Sequence, residues 1–383
     1  MFLARRYFKY FDWLSFALIL ILSCIGVLFV YSATYRPEIP VSAFCKKQFL
    51  GVGLGILVYC ICSAMDYRVL LQWGYLIYTI VIALLIFTII KGSIGMGAQR
   101  WVSVGLFKFQ PSELAKVLFP VFAITYLYNH KESFSFRISE YIPLLAMLGI
   151  SCLLIIKQPD LGTGIIVMIT GLVMLWLAGL PKKFFYYGLA FLFVTAPLSW
   201  HMLKPYQKKR VLVFLGQGSQ KKERYQIEQS KIAIGSGGVF GKGFLKGTQN
   251  KLLFLPESRT DFIFSVICEE TGLVGACVVI LLYLILFMRL FHIILSIDQT
   301  IIQIFAFGLI AHTMISVIVN IGMVTDMLPV VGIPLPFISY GLSNLLITYA
   351  SLGWFNTISM YHAHVDPSLR TEMSMRHNYK LWS

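Results

Sequence analysis

Asp261 stands where a wet, basic stretch (204–260) meets the apolar run Phe262-Ile263-Phe264. A carboxylate at a water–membrane boundary costs free energy unless something uses it. The chemistry open to it is general-base catalysis at the membrane surface. The structural alternative is a helix cap, because Thr260 or Asp261 can cap a helix that begins at Phe262. Glu113 and Lys116 are three residues apart, so they share a helix face and can pair. That pair either offsets its own burial or serves a ligand. In the second case Lys116 and Arg100 hold a phosphate, while Glu113 orients Lys116 or helps bind a metal.

Other polar groups sit at breaks in the apolar pattern. Arg100-Trp101 follows Gly92, Gly95 and Gly97 in the stretch 91–111, and Pro111 fits the first position of a helix. Asp160, in Gln158-Pro159-Asp160-Leu161-Gly162-Thr163, reads first as a turn residue and helix cap. The nine residues 235–243 hold five glycines and Lys242, so their backbone N–H groups could cradle an anion. The spacing is not that of a P-loop, which argues against a nucleotide. Glu269 and Glu270 lie inside an apolar helix with side chains diverging by about 100°. At least one is expected to face the bundle interior. The stretch 328–341 has three prolines and two glycines and cannot form a regular spanning helix. Such backbone must be buried in protein or line a cavity, which makes it a candidate groove wall.

The elements that must position these groups are membrane helices. The chain has 383 residues, 58% hydrophobic, with a mean hydropathy of +0.77. A soluble domain cannot hide that much apolar surface, so the expected fold is an all-α polytopic membrane protein. Ten spans are read near 13–31, 49–65, 69–90, 112–128, 141–156, 162–180, 184–203, 262–288, 301–324 and 342–358. They form a single transmembrane domain over 1–383, with 204–260 as a large extracytoplasmic loop between the seventh and eighth. The first apolar run reads as a spanning helix rather than a cleaved leader. With both termini cytoplasmic, the inner segments carry twelve Lys and Arg, the short outer loops eight and the large loop twelve. Short loops weigh most, so the count favours that orientation and leaves an unusually basic outer face. The net charge of +15 is therefore assigned to headgroups or an anionic substrate rather than to nucleic acid. The seven Cys lie mostly in apolar runs and give no zinc or disulfide framework.

Several motifs together are specific. Phe109-Gln110-Pro111-Ser112-Glu113-Leu114-Ala115-Lys116, Gln158-Pro159-Asp160-Leu161-Gly162-Thr163, Ile232-Ala233-Ile234-Gly235-Ser236-Gly237-Gly238, Thr260-Asp261-Phe262-Ile263-Phe264 and Pro334-Leu335-Pro336-Phe337-Ile338-Ser339-Tyr340-Gly341 resemble the SEDS family (shape, elongation, division and sporulation) in order and spacing. Gly247-Thr248-Gln249 and the short N-terminus resemble its elongation member more than its division member. The chain departs from the family at Leu342, where a second Gly is usual, and at Arg259, where His is common. The resemblance implies a ten-helix peptidoglycan glycosyltransferase of the bacterial cytoplasmic membrane. Its substrate would be lipid II, an undecaprenyl-diphosphate-linked disaccharide-peptide. It implies Asp261 as the essential acid and Arg100, Glu113 and Lys116 as the conserved substrate-site charges. Lys242 is a further candidate for the diphosphate, and Asp160, Glu257, Glu269 and Ser339 are candidate supports. A divalent cation, Mg or Mn, is a candidate cofactor. The implied partners are a class B penicillin-binding protein and proteins of the elongation or division complex. The rival readings are a lipid-linked-sugar flippase or transporter, and a non-catalytic scaffold.

Overall fold

Apolar length and local caps set where the helices begin and end. The computed structural model describes residues 9–38, 41–95, 98–104, 107–130, 138–188, 190, 221–251, 254–255 and 257–364. The first helices are α1 (Trp13–Thr34), α2 (Ala43–Ala64), α3 (Tyr67–Gln72) and α4 (Gly74–Lys91). They are followed by α5 (Pro111–His130), α6 (Ile142–Lys157) and α7 (Leu161–Leu177). Residues 182–188 are helical. Then come α8 (Lys221–Gly237), α9 (Ile263–Leu295), α10 (Thr300–Val324) and α11 (Leu342–His364). Nine of the ten expected spans coincide with these helices. The seventh, 184–203, lies outside the described residues beyond 190, as do the loop residues 201–220 and Pro256. Among the described residues, six helical segments are long and apolar enough to cross a membrane.

Boundaries shift for identifiable reasons. α2 starts six residues before the expected 49, because Ser42 caps it by accepting the Cys45 N–H at 3.2 Å. The expected span 69–90 breaks at Trp73, and Asp66 caps its first piece through the Arg68 N–H at 2.9 Å. α9 runs on to Leu295 and carries Arg289 with it. Arg289 is paired at 3.1 Å with Asp12, which is buried at the start of α1.

α5 is the central helix. Every residue from Pro111 to Thr125 except Leu114 is buried, and α4, α6, α7, α10 and α11 all pack on it. A helix enclosed by protein needs no lipid-facing stripe, which is why it can carry Glu113 and Lys116. One contiguous apolar core runs from α1 to α11.

Two features depart from the sequence-based expectation. The glycine-containing stretch before α5 is a three-stranded antiparallel meander, β1 (Ser93–Gly95), β2 (Ala98–Val104) and β3 (Phe107–Phe109). Val102 pairs with Phe109 and Val104 with Phe107. The alternation Val102, Val104 and Phe107, Phe109 is the period-two signal for it. In addition, α9 is interrupted at Gly272, with φ 69° and ψ −162°. The interruption leaves the Glu269 and Glu270 carbonyls and the Leu273 and Val274 N–H groups without helical partners. The loop 238–243 supplies them. Lys242 N–H and Gly243 N–H donate to Glu269 O and Glu270 O at 3.0 and 2.9 Å. Leu273 N–H and Val274 N–H donate to Gly238 O and Val239 O at 2.9 and 3.1 Å. A Cβ on Gly272 would stand 2.4 Å from the Gly241 nitrogen, so both the conformation and the close approach require glycine there.

The described half of the large loop therefore folds back onto the bundle. α8 packs on α9, and its Ser230 hydroxyl meets Ser265 and Val324 O, each at 2.8 Å.

Candidate active site

The meander carries Arg100 to the start of α7. Its Nε donates to Gln158 O at 3.0 Å, another guanidinium nitrogen donates to Pro159 O, and the group lies 3.9 Å from Asp160. Asp160 caps α7 as expected, accepting the Thr163 N–H at 3.4 Å. It does more than cap, because Gln110 Nε2 and Ser112 Oγ donate to its Oδ2 at 2.6 and 3.1 Å. One buried carboxylate thus fixes the start of α5 against the start of α7.

One turn into α5, Glu113 and Lys116 pair at 2.7 Å, with side chains only 6% and 2% exposed. Asn344, near the start of α11, donates to Glu113 Oε2 at 2.9 Å. Desolvating two such charges costs several kcal/mol each, and their attraction roughly cancels that. Net stability is therefore a poor reason for the pair to exist. Its charges are available to shape a site.

Asp261 lies in a run of turns, 257–262, before α9. The cap residue of α9 is Phe262, and no side chain caps at that position. Neither Thr260 nor Asp261 takes the cap position that was the structural alternative. Instead, three successive carbonyls of the turn are tied. Tyr340 N–H donates to Arg259 O at 2.9 Å, Ser339 Oγ to Thr260 O at 2.6 Å and Asn320 Nδ2 to Asp261 O at 2.9 Å. Ser339 also accepts the Leu335 N–H at 2.8 Å. Glu257 accepts from Thr260 Oγ1 at 3.1 Å, so it shapes the same turn. Arg259 stacks over the Phe44 ring at 4.0 Å, a cation–π contact that takes up its charge.

The proline- and glycine-rich segment 328–336 joins these groups. A Cβ on Gly332 would stand 3.4 Å from Asp261 Oδ2. On the other side, a Cβ on Gly162 would stand 2.7 Å from Val331 O. The segment lies between the half-buried Asp261 and the start of α7, where Asp160 and Arg100 sit. It forms a wall between the two groups, and its non-helical backbone is what its three prolines require.

Lys242 is not brought to this group. Its ammonium pairs with Glu269 at 2.7 Å, and Glu269 also accepts Thr248 N–H, Thr248 Oγ1 and Gln249 N–H at 2.7, 2.9 and 3.2 Å. Glu270 accepts from Ser32 Oγ at 2.5 Å. The glycine-rich loop is a docking strap rather than an anion cradle, because its Lys242 and Gly243 N–H groups answer the break in α9. Lys242 and Glu269 are corrected accordingly, from diphosphate ligand and site support to loop anchor. Among the described residues, no three His, Cys, Asp or Glu side chains are grouped together. A divalent cation held by one or two carboxylates and the substrate's phosphates does not require such a group. Asn320 and Asn344 have no role in the sequence reading. An amide inside an apolar helix is the signal that points to them.

Residues 12–364 match the family of FtsW, RodA and SpoVE, described as cell cycle proteins. Over 328 residues the chain is 38% identical to "Peptidoglycan glycosyltransferase MrdB" of Escherichia coli (strain K12), covering 85% of this chain and 88% of that one. It is 34% identical over 362 residues to "Stage V sporulation protein E" of Bacillus subtilis (strain 168), covering 91% and 97%. A solved structure described as "Structural coordination of polymerization and crosslinking by a peptidoglycan synthase complex" superposes with a TM-score of 0.79. Its identity is 28%, over 93% of this chain and 99% of that one. The "Rod shape determining protein RodA" of Thermus thermophilus superposes with a TM-score of 0.67 and 27% identity, over 92% and 97%.

Proposed function

The chain belongs to the FtsW, RodA and SpoVE family of cell cycle proteins and is a multi-pass membrane peptidoglycan glycosyltransferase; we propose that it polymerises lipid II at the outer face of the cytoplasmic membrane. The observation that carries the reading is the anchored turn that sets Asp261 against Gly332, across the segment 331–333 from the start of α7. Asp261 takes the proton of the acceptor sugar's 4-hydroxyl. The freed oxygen pair attacks the donor's anomeric carbon, and the bond to undecaprenyl diphosphate breaks with its electrons leaving on the diphosphate. A single base and a direct displacement invert that carbon.

The leaving group needs positive charge nearby. Arg100, with 30% of its side chain exposed, is the cation that can meet a diphosphate. Lys116, at 2%, is enclosed and supplies its charge through its pair with Glu113, whose Oε2 also accepts from Asn344. A class B penicillin-binding protein is the proposed crosslinking partner, in a complex that serves cell shape or division. The relative described with both polymerization and crosslinking supports it. Both termini are placed in the cytoplasm, on the Lys and Arg distribution.

The test is direct. Purified wild type and Asp261→Ala are given lipid II, alone and with the partner, and the glycan products are separated by size. Polymer from wild type only is the expected result. No polymer from wild type under either condition would sink the reading. Lipid II crossing a vesicle without being joined would replace it with transport.

A further inference from the structure

Asn320 is wholly buried near the end of α10, and its single amide nitrogen donates to two carbonyls. One is Asp261 O at 2.9 Å and the other is Ile333 O at 2.7 Å. Both acceptors lie on non-helical segments that meet at the site. Because both partners are acceptors, the amide must present its NH2 to them. Its oxygen is left without a hydrogen-bond partner among the described residues. An amide kept only to satisfy local packing would be bonded at both ends. This one is oriented by its two donor bonds.

Those bonds fall at a decisive place. Asp261 carries the proposed base, and Ile333 follows Gly332, the residue against which the Asp261 carboxylate lies. Of the three anchored carbonyls in the turn, Asp261 O alone is held from α10. Arg259 O and Thr260 O are held by Tyr340 and Ser339. One amide therefore ties both sides of the contact between base and wall. Through Val331 and Gly162 the same wall abuts the start of α7, and so the Arg100 and Asp160 group.

We infer that Asn320 is a positioning residue, which sets the reach of the Asp261 carboxylate toward the acceptor hydroxyl by bracing Asp261 and Ile333 together. The inference rests on the glycosyltransferase reading. It does not place Asn320 in contact with substrate. Its consequence is a separation of kinetic effects. Arg100 still receives the donor when the brace is lost, while the base is misplaced at the moment of proton transfer.

The experiment uses the full chain with its penicillin-binding partner and lipid II as the probe. Asn320→Leu keeps the volume and removes both donors. Asn320→Gln keeps both donors on an arm one methylene longer. In Asn320→Leu, kcat should fall about 100-fold, as for a displacement near 1 Å, while the Kd for lipid II stays within about 3-fold of wild type, well under the tenfold step of 1.4 kcal/mol. Asn320→Gln should also bind normally and turn over slowly. Wild-type kcat in either variant would overturn the proposal. So would loss of lipid II binding in step with kcat, which would make Asn320 general structural support. Wild-type protein that makes no polymer counts against the glycosyltransferase reading itself. Active wild type with an equally active Asn320→Leu counts against the brace alone.

Discussion

Two acids stand eight positions apart along the same stretch of chain and are held in opposite ways. Glu269 is fully buried, and its carboxylate is met by Lys242, Thr248 and Gln249. Asp261 is half-buried, and the bond that Asn320 makes to it runs to its backbone carbonyl. A carboxylate whose oxygen collects several donors is held in place by them and serves the fold. An acid on a turn whose backbone carbonyls are tied has the origin of its reach set by the fold. Proximity to the membrane boundary does not separate the two, and both look equally costly in the sequence. What separates them is setting: Glu269 is wholly enclosed among converging donors, while Asp261 stands half-buried on a turn whose backbone carbonyls are tied.

The largest expected effect tests the first half of that contrast. Asp261→Asn preserves size and backbone anchors but cannot accept a proton. Polymerisation should fall at least about 1000-fold, within the range of a lost general base. Thermal stability in detergent should stay within about 0.5 kcal/mol, since the backbone anchors of the turn are kept. Activity near wild type would break the comparison at its catalytic end.

The Glu113–Lys116 pair decides which side of the contrast a buried ion pair belongs to. Glu113→Gln leaves Lys116 enclosed with its charge uncompensated, which should cost about 3 kcal/mol of stability. Adding Lys116→Met removes the stranded charge, and stability should return to within about 1 kcal/mol of wild type. Activity should not return with it, because the proposed site has lost its enclosed cation. A double variant that regains both would assign the pair to folding, alongside Glu269.

Glu269→Gln tests the other half. It removes the charge that Lys242, Thr248 and Gln249 converge on. Lys242 is 26% exposed, so water can partly replace its partner, and the expected loss is about 2 kcal/mol, below that of a fully enclosed pair. Limited proteolysis should then cut the stretch 238–251 faster than in wild type. The apparent Kd for lipid II should change little. A large rise in that Kd with unchanged proteolysis would return Lys242 and Glu269 to the substrate site.

Much of this arrangement is legible in the sequence. Pro111 marks the start of α5, Asp160 caps α7, residues 225–234 are helical, and the prolines from 329 to 336 rule out a regular span. Each is a local statement, decided within a few residues by φ restriction or capping. What the sequence hides is long-range. A glycine-rich loop offers N–H groups to a ligand or to its own chain, and the sequence does not say which. The answer lies about thirty residues on, at Gly272, whose left-handed conformation frees the carbonyls that the loop completes. Likewise, Asn344 is 231 positions from Glu113, and no helical periodicity connects them. The meander is obscured for a different reason. Its alternating residues are present, but the glycines around them read as a turn.

The smallest expected effect guards the comparison against a trivial explanation. Lys231 on α8 pairs at 2.9 Å with Asp326, just beyond α10, and both side chains are exposed, at 54% and 38%. The pair links the large loop to the bundle, as the Lys242–Glu269 pair does, and differs from it in solvation. If a loop-to-bundle ion pair mattered simply by existing, Lys231→Ala would resemble Glu269→Gln. Solvation predicts otherwise. Exposed pairs contribute roughly 0.2–1 kcal/mol, and salt screens them. Lys231→Ala should therefore leave proteolysis of 238–251 and polymerisation at wild-type levels, and its small stability loss should vanish in high salt. A loss matching that of Glu269→Gln would show that the loop is held by charge number rather than by burial, and the contrast between the two acids would lose its physical basis.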